Sequence, residues 1–209
     1  MSNLQSCRSC RRLVRNLQSV REKFPGYHCR PVGSIGPERA RLLVVGLAPG
    51  LHGANRTGKP FIGDSSGDFL FQALEKANLI SRSQDFRYRF DKVKITNAVK
   101  CLPPENRPTM AEIITCNTYL VDELKLHFNK NMRKNRCVLA LGSLAYKAVG
   151  LAINTRLPRF QHGEITELEE KFWLLSSYHP SRINTNTGRL TAAMLDDVME
   201  RLVDLLTVP

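Results

Sequence analysis

No segment of this chain is long and apolar enough to cross a bilayer, and it has no secretory h-region or lipidation motif. Membrane-spanning and lipid-anchored classes are therefore not expected, and the cytoplasm is the expected location. Acidic residues are scarce: 19 Asp and Glu stand against 31 Lys and Arg, a net charge of +12. Such an imbalance points to an anionic partner, most often nucleic acid. The basic residues are dense near the N-terminus (Arg8, Arg11, Arg12, Arg15, Arg21, Lys23) and again from Lys125 to Arg136. Internal repeats and low-complexity tracts are also missing. With 209 residues and 42% hydrophobic content, the expectation is a single domain, 1–209, in which 1–40 forms an N-terminal segment.

One missing side chain disposes of a near-match. Gly53 to Lys59 reads G-x-x-x-x-G-K, but Pro60 stands where a phosphate loop needs Ser or Thr to hold magnesium. Gly53 also lies too far beyond the apolar run that ends at Val45. A nucleotide triphosphatase is thereby set aside.

What is present is concentrated in Arg41–Leu70, RLLVVGLAPGLHGANRTGKPFIGDSSGDFL. A short apolar run stops at Gly46, a long Gly-rich loop follows, and a helix begins at Asp64. Strand, loop and helix in this order form the usual ligand site of an open α/β sheet. The loop also brings a carboxylate, Asp64, close to an aromatic ring, Phe61.

Four apolar runs read as strands: Leu42–Val45, Val93–Ala98, Cys137–Leu141 and Phe172–Ser176. Helical periodicity covers Gly67–Asn78, Met110–Phe128, Ser143–Leu151 and Thr191–Leu206. Thr109 and Glu112 form a capping box at the second of these, and Ser143 is the expected N-cap of the third. Alternating strands and helices predict an α/β domain with a mostly parallel sheet. The loops Gly46–Ser66, Lys100–Pro108 and Ser177–Leu190 then leave the carboxyl ends of neighbouring strands. Asp64, Asn106 and His179 can meet over one crevice.

Six cysteines without a secretory signal suggest metal chemistry rather than disulfides. Cys7-x-x-Cys10, with Cys101 and Cys116, makes four thiolates, enough for zinc or for an iron–sulfur cluster. Spacing alone does not separate the two. Cys29 competes as a ligand, and Cys137, inside a strand, reads as core.

Three segments, GLAPGLHGANRTGKPFIGDSSGDFL, NAVKCLPPENRPT and SSYHPSRINTNTGRLT, resemble the type b, or family 5, uracil-DNA glycosylases of the uracil-DNA glycosylase superfamily. With the Cys pattern the resemblance spans nearly the whole chain. It implies a central four-stranded parallel sheet between helices, a three-layer α/β/α fold. It implies a 4Fe–4S cluster on Cys7, Cys10, Cys101 and Cys116, and hydrolysis of the N-glycosidic bond of uracil, with other deaminated bases such as hypoxanthine, in DNA. Other branches carry a carboxylate or amide at the start of the first motif. Here Leu47 and Ala48 stand there, and Asp64 is the residue this branch uses instead.

Residue chemistry supplies the expected roles. A base must leave the stack to be reached, and Phe61 is the ring expected to stack on it. Asp64 orients water and stabilises the sugar cation, although an Asp at a helix start is also an ordinary N-cap. His179 donates toward the leaving base, and Asn106 offers a donor and an acceptor to the base edge. Gly46, Leu47, Ala48, Asn55, Arg182 and Asn184 complete the expected substrate contacts. Ile183 is the apolar candidate for insertion into the DNA gap. His28, His52, His127 and His162 have no metal spacing and are expected to be surface or structural residues. The expected partner is DNA carrying uracil or another deaminated base, met by a monomer with no membrane involved. Two other readings compete: a non-catalytic nucleic-acid-binding protein with a structural metal, and a mononucleotide hydrolase.

Overall fold

The computed structural model describes residues 3–83, 88–128 and 134–207. Residues 129–133 of the basic stretch and Met1 lie outside the described residues. The first helix, α1, covers Arg11–Lys23. Strand β1 (Leu42–Gly46) leads through a short helix, α2 (Ala54–Thr57), into α3 (Ser65–Lys76). A two-stranded antiparallel ribbon, β2 (Ser81–Arg82) with β3 (Tyr88–Arg89), precedes β4 (Val93–Asn97). Then come α4 (Met110–His127), β5 (Arg136–Leu141), α5 (Ser143–Ala152), β6 (Ile165–Glu169), β7 (Phe172–Ser177), α6 (Arg182–Asn186) and α7 (Ala192–Thr207).

The sheet has the order β4-β1-β5-β7-β6. The four strands read from the apolar runs are present and mutually parallel. The expectation of four strands is corrected by a fifth, β6, which pairs antiparallel with β7 at the edge. Its sequence, ITELE, is half exposed and polar, so no buried run marks it; it is held by its pairing with β7 rather than by a local signal. Strand residues alternate between two cores. Leu42, Val44 and Leu139 pack with Leu70, Leu74 and Leu195 of α3 and α7. Leu43, Val45 and Val138 pack with Leu13, Leu120 and Val149 of α1, α4 and α5. Burial on both faces produces the continuous apolar runs and the three-layer α/β/α architecture.

Helix starts show how local chemistry fixes the loops. Thr109 and Glu112 form the expected capping box on α4, and Arg12 grips Glu112 at 2.7 Å from across the chain. At α5 the expected cap is corrected: Gly142, at φ 93°, is the N-cap and Ser143 is already helical. A turn at positive φ brings the chain sharply out of β5, and glycine adopts it without strain.

From β1 the chain goes to β4 on one side and then crosses to β5 on the other. The loops after these strands part over the carboxyl end of β1, where a crevice forms.

Candidate active site and thiol cavity

A cleft of about 430 Å³ opens over the carboxyl end of β1. Leu47, Ala48, Phe61, Asp64, Asn106, His179 and Arg182 all line it, together with Asn97, His52 and Ser181. Three loops far apart in sequence thus bring the expected carboxylate, histidine and ring together.

Asp64 caps α3: its Oδ1 accepts from the Gly67 N–H at 3.0 Å. Oδ2 lies over Gly53, where a Cβ would sit only 1.9 Å away. The glycine-rich composition of this loop therefore makes room for a carboxylate against backbone. Anchored by one oxygen, Asp64 holds a fixed orientation in the cleft wall.

Phe61, at φ 59° and 6% exposed, stacks on His179 with ring centroids 5.9 Å apart and planes at 29°. Gly46 lies beneath the ring. A Cβ there would come within 2.6 Å of Phe61 and 2.5 Å of the Asn97 Oδ1. Gly46 thus acts by leaving space below the cleft.

The His179 carbonyl accepts from the Ser181 N–H and from the Asn184 Nδ2, each at 2.8 Å. The backbone that carries the ring is thereby held twice. Burial lowers the His179 pKa to about 4, against the opposing pull of Asp64. The imidazole is neutral at neutral pH and offers one N–H.

Arg182 lines the cleft, with its Nε 2.9 Å from the Ser65 hydroxyl. Ile183 beside it is 76% exposed. Asn106 stands at the exposed rim in a left-handed conformation, φ 56°.

Two expected substrate contacts lie outside the cleft lining. Asn55 is fully buried below the cleft, where its Nδ2 points to the Cys29 sulfur at 3.5 Å. Asn184 braces His179 rather than lining the cleft. Sequence reasoning missed Asn97, the last residue of β4. It is 3% exposed, yet its side chain makes no hydrogen bond among the described residues and reaches the cleft. The available signal was a carboxamide closing an apolar strand, one residue before Ala98. His52 also lines the cleft, held by the Tyr27 hydroxyl at 2.9 Å.

The second region is a cavity of about 20 Å³ behind the sheet. Cys7, Cys10, Cys101 and Cys116 all line it, with Leu13 and Tyr119. Burial and the neighbouring thiols push Cys101 up to about 12. Burial pushes Cys116 up to about 11, although the Lys100 N–H, 3.3 Å from its sulfur, works against this. Among the described residues, no three His, Cys, Asp or Glu side chains are arranged to hold one metal ion. Cys29 is buried and stands apart from this cavity, and Cys137 is core.

Lys100 also lines the thiol cavity. Its ammonium, fully buried, meets both Glu123 oxygens at 2.9 and 2.8 Å and the Thr96 hydroxyl at 2.5 Å. Its carbonyl accepts from Val32 N–H at 2.7 Å, tying the N-terminal segment to the end of β4.

Comparison with known proteins identifies the family of the chain. Residues 33–203 match the family model of the uracil DNA glycosylase superfamily. The chain is similar to the type-5 uracil-DNA glycosylase of Mycobacterium leprae, with 43% identity over 94% of this chain and 90% of that protein. It is also similar to the type-5 enzyme of Thermus thermophilus, with 40% identity over 95% and 93%. The type-4 uracil-DNA glycosylase of Archaeoglobus fulgidus is more distant, with 29% identity over 86% and 79%. No helix among the described residues is long and apolar enough to cross a membrane.

Proposed function

The chain belongs to the uracil DNA glycosylase superfamily, and from that premise we propose that it hydrolyses the N-glycosidic bond of uracil in DNA, and of other deaminated bases such as hypoxanthine. The observation that carries this reading is the shared cleft of Asp64 and His179. Glycosidic cleavage builds positive charge on the sugar and negative charge on the departing base. A carboxylate and a neutral N–H donor serve those two charges, and both are held in place before substrate arrives. Asp64 orients the attacking water and faces the oxocarbenium-like sugar. His179 donates to the departing base oxygen, and Phe61 supports the flat ring. Asn97 supplies a donor and an acceptor to the base edge from the floor, and Asn106 supplies both at the rim. Arg182 takes a phosphate while Ile183 enters the gap left by the flipped nucleotide. The excess of Lys and Arg attracts the DNA backbone. In this reading, residues 1–209 act as one domain, working as a monomer.

The reading extends to a 4Fe–4S cluster on Cys7, Cys10, Cys101 and Cys116. What supports it is the meeting of four thiols at one cavity. A cubane takes one thiolate at each iron, so its ligands stand farther apart than those around one tetrahedral ion. Thiols pushed up to about 12 and 11 by burial keep their protons at neutral pH unless a metal replaces them. When bound, the cluster supplies a structural tie between the N-terminal segment and α4.

The test is release of free uracil from a uracil-containing oligonucleotide by purified protein. Uracil release that falls steeply with salt is the expected outcome. DNA binding without any release favours the non-catalytic alternative, with Asp64 serving only as a cap.

A further inference from the structure

We propose that a groove along α5 holds the unpaired DNA segment flanking the damaged nucleotide on the same strand. This rests on the glycosylase reading and adds a single-strand subsite to it. The groove encloses about 720 Å³, more than the cleft itself. Ser143, Tyr146, Lys147, Arg156, Leu157 and Phe160 line it.

Its position sets it next to the segment that carries His179. It starts at Ser143, beside Gly142, and Gly142 abuts the Cβ of His179. Its far wall is Phe160, whose ring lies 5.9 Å from that of Tyr178, the residue before His179. A strand leaving the cleft past His179 therefore passes beside it.

Its chemistry fits a nucleotide. Lys147 and Arg156 are exposed, and neither has an ion pair or hydrogen bond among the described residues. Among the described residues, no carboxylate lines the groove. Leu157 and Phe160 offer an apolar wall for a base face. Tyr146 is only 4% exposed, and its buried hydroxyl has no hydrogen-bond partner among the described residues. A buried hydroxyl left in this state is costly, and an acceptor on a ligand relieves it. Phosphate, flat ring and acceptor together are the parts of a nucleotide. Paired bases cannot enter, because their faces and edges are engaged in the duplex stack. The occupant is therefore unpaired.

The test measures binding of a uracil-free single-stranded oligonucleotide, and of its duplex, by anisotropy across a salt series. For the variant carrying both Lys147→Ala and Arg156→Ala, single-strand affinity is expected to fall about tenfold. The slope of log K against log salt is expected to flatten by about 1.4, for two lost contacts at about 0.7 each. Duplex affinity should change by less than about threefold. Tyr146→Phe should weaken single-strand binding about fivefold, the size of one net hydrogen bond, with no loss of thermal stability. Equal weakening of single strand and duplex would make the groove part of a general basic surface and overturn the proposal. So would wild-type DNA binding by Tyr146→Phe, or capture of an acidic peptide in place of the oligonucleotide. Uracil release from duplex by the wild-type protein separates the two readings: if release occurs and the variants bind normally, only the groove assignment fails.

Discussion

The cleft and the thiol cavity lie close together in the chain yet are built in opposite ways. Asn97 at the cleft floor and Cys101 at the cavity are four positions apart. The cleft, about 430 Å³, draws its reactive groups from loops held by caps, glycines and a left-handed Phe61. The cavity, about 20 Å³, is set between half-buried Cys7 and Cys10 of the N-terminal segment and buried Leu13, Cys101 and Cys116. The loop-built region is expected to lose a functional group and keep its fold, whereas the other is not. A site on loops contributes little to the core, and a site inside the packing is part of it.

The largest effect expected from this contrast is in the cavity. On the cluster reading, Cys116→Ala should remove stoichiometric iron and lower the melting temperature by about 10 °C or more, since the proposed tie between segments is lost. Iron analysis and thermal unfolding check this. Full iron content with unchanged melting would break the comparison.

In the cleft the pattern should reverse. Asp64→Asn keeps the cap, because Asn caps helices about as well as Asp. It should slow single-turnover cleavage about 100-fold or more for every substrate, with melting unchanged. His179→Ala should cost about 100-fold for uracil and also reorder substrates, because a poorer leaving base depends more on the donor. Near-wild-type cleavage by folded Asp64→Asn would reduce Asp64 to a helix cap.

A pH series sharpens the contrast from outside both regions. Burial lowers the His127 pKa to about 3, while an unfolded histidine titrates near 6.5. Between those values the unfolded chain binds more protons, so stability falls as pH drops below about 6.5 and levels off near 3. His127→Gln keeps a donor for the Cys137 carbonyl, now 3.0 Å from the ring. It should flatten the slope by about 2 kcal/mol between pH 7 and 5. Denaturant unfolding at each pH measures it; an unchanged slope would assign the acid sensitivity elsewhere. The smallest effect is expected from Asn97→Ala, about a tenfold rise in KM, the loss of one or two net hydrogen bonds to the base.

Much of this was legible in the sequence, because it depends on local chemistry. Apolar runs gave β1, β4, β5 and β7, and Thr109 with Glu112 marked α4. The rest depends on partners distant in sequence. Polar β6 exists because β7 pairs with it. Asn55 faces Cys29, and Asn184 faces its own loop, by loop geometry that residue type does not reveal. Asn97 was hidden by the opposite circumstance, a polar residue at the end of a run that otherwise reads as core.

The single anchor of Asp64, one oxygen on the Gly67 N–H while the other lies over Gly53, bears on how such a gene can decay. Folding places no premium on the charge, since Asn satisfies the helix end equally well. Asp and Asn codons differ by a single G-to-A change, the scar that cytosine deamination leaves on the opposite strand. The lesion this protein is proposed to remove is thus the one that would silence it, leaving a folded DNA binder that competes for damage without repairing it. Selection on stability alone would not purge that allele.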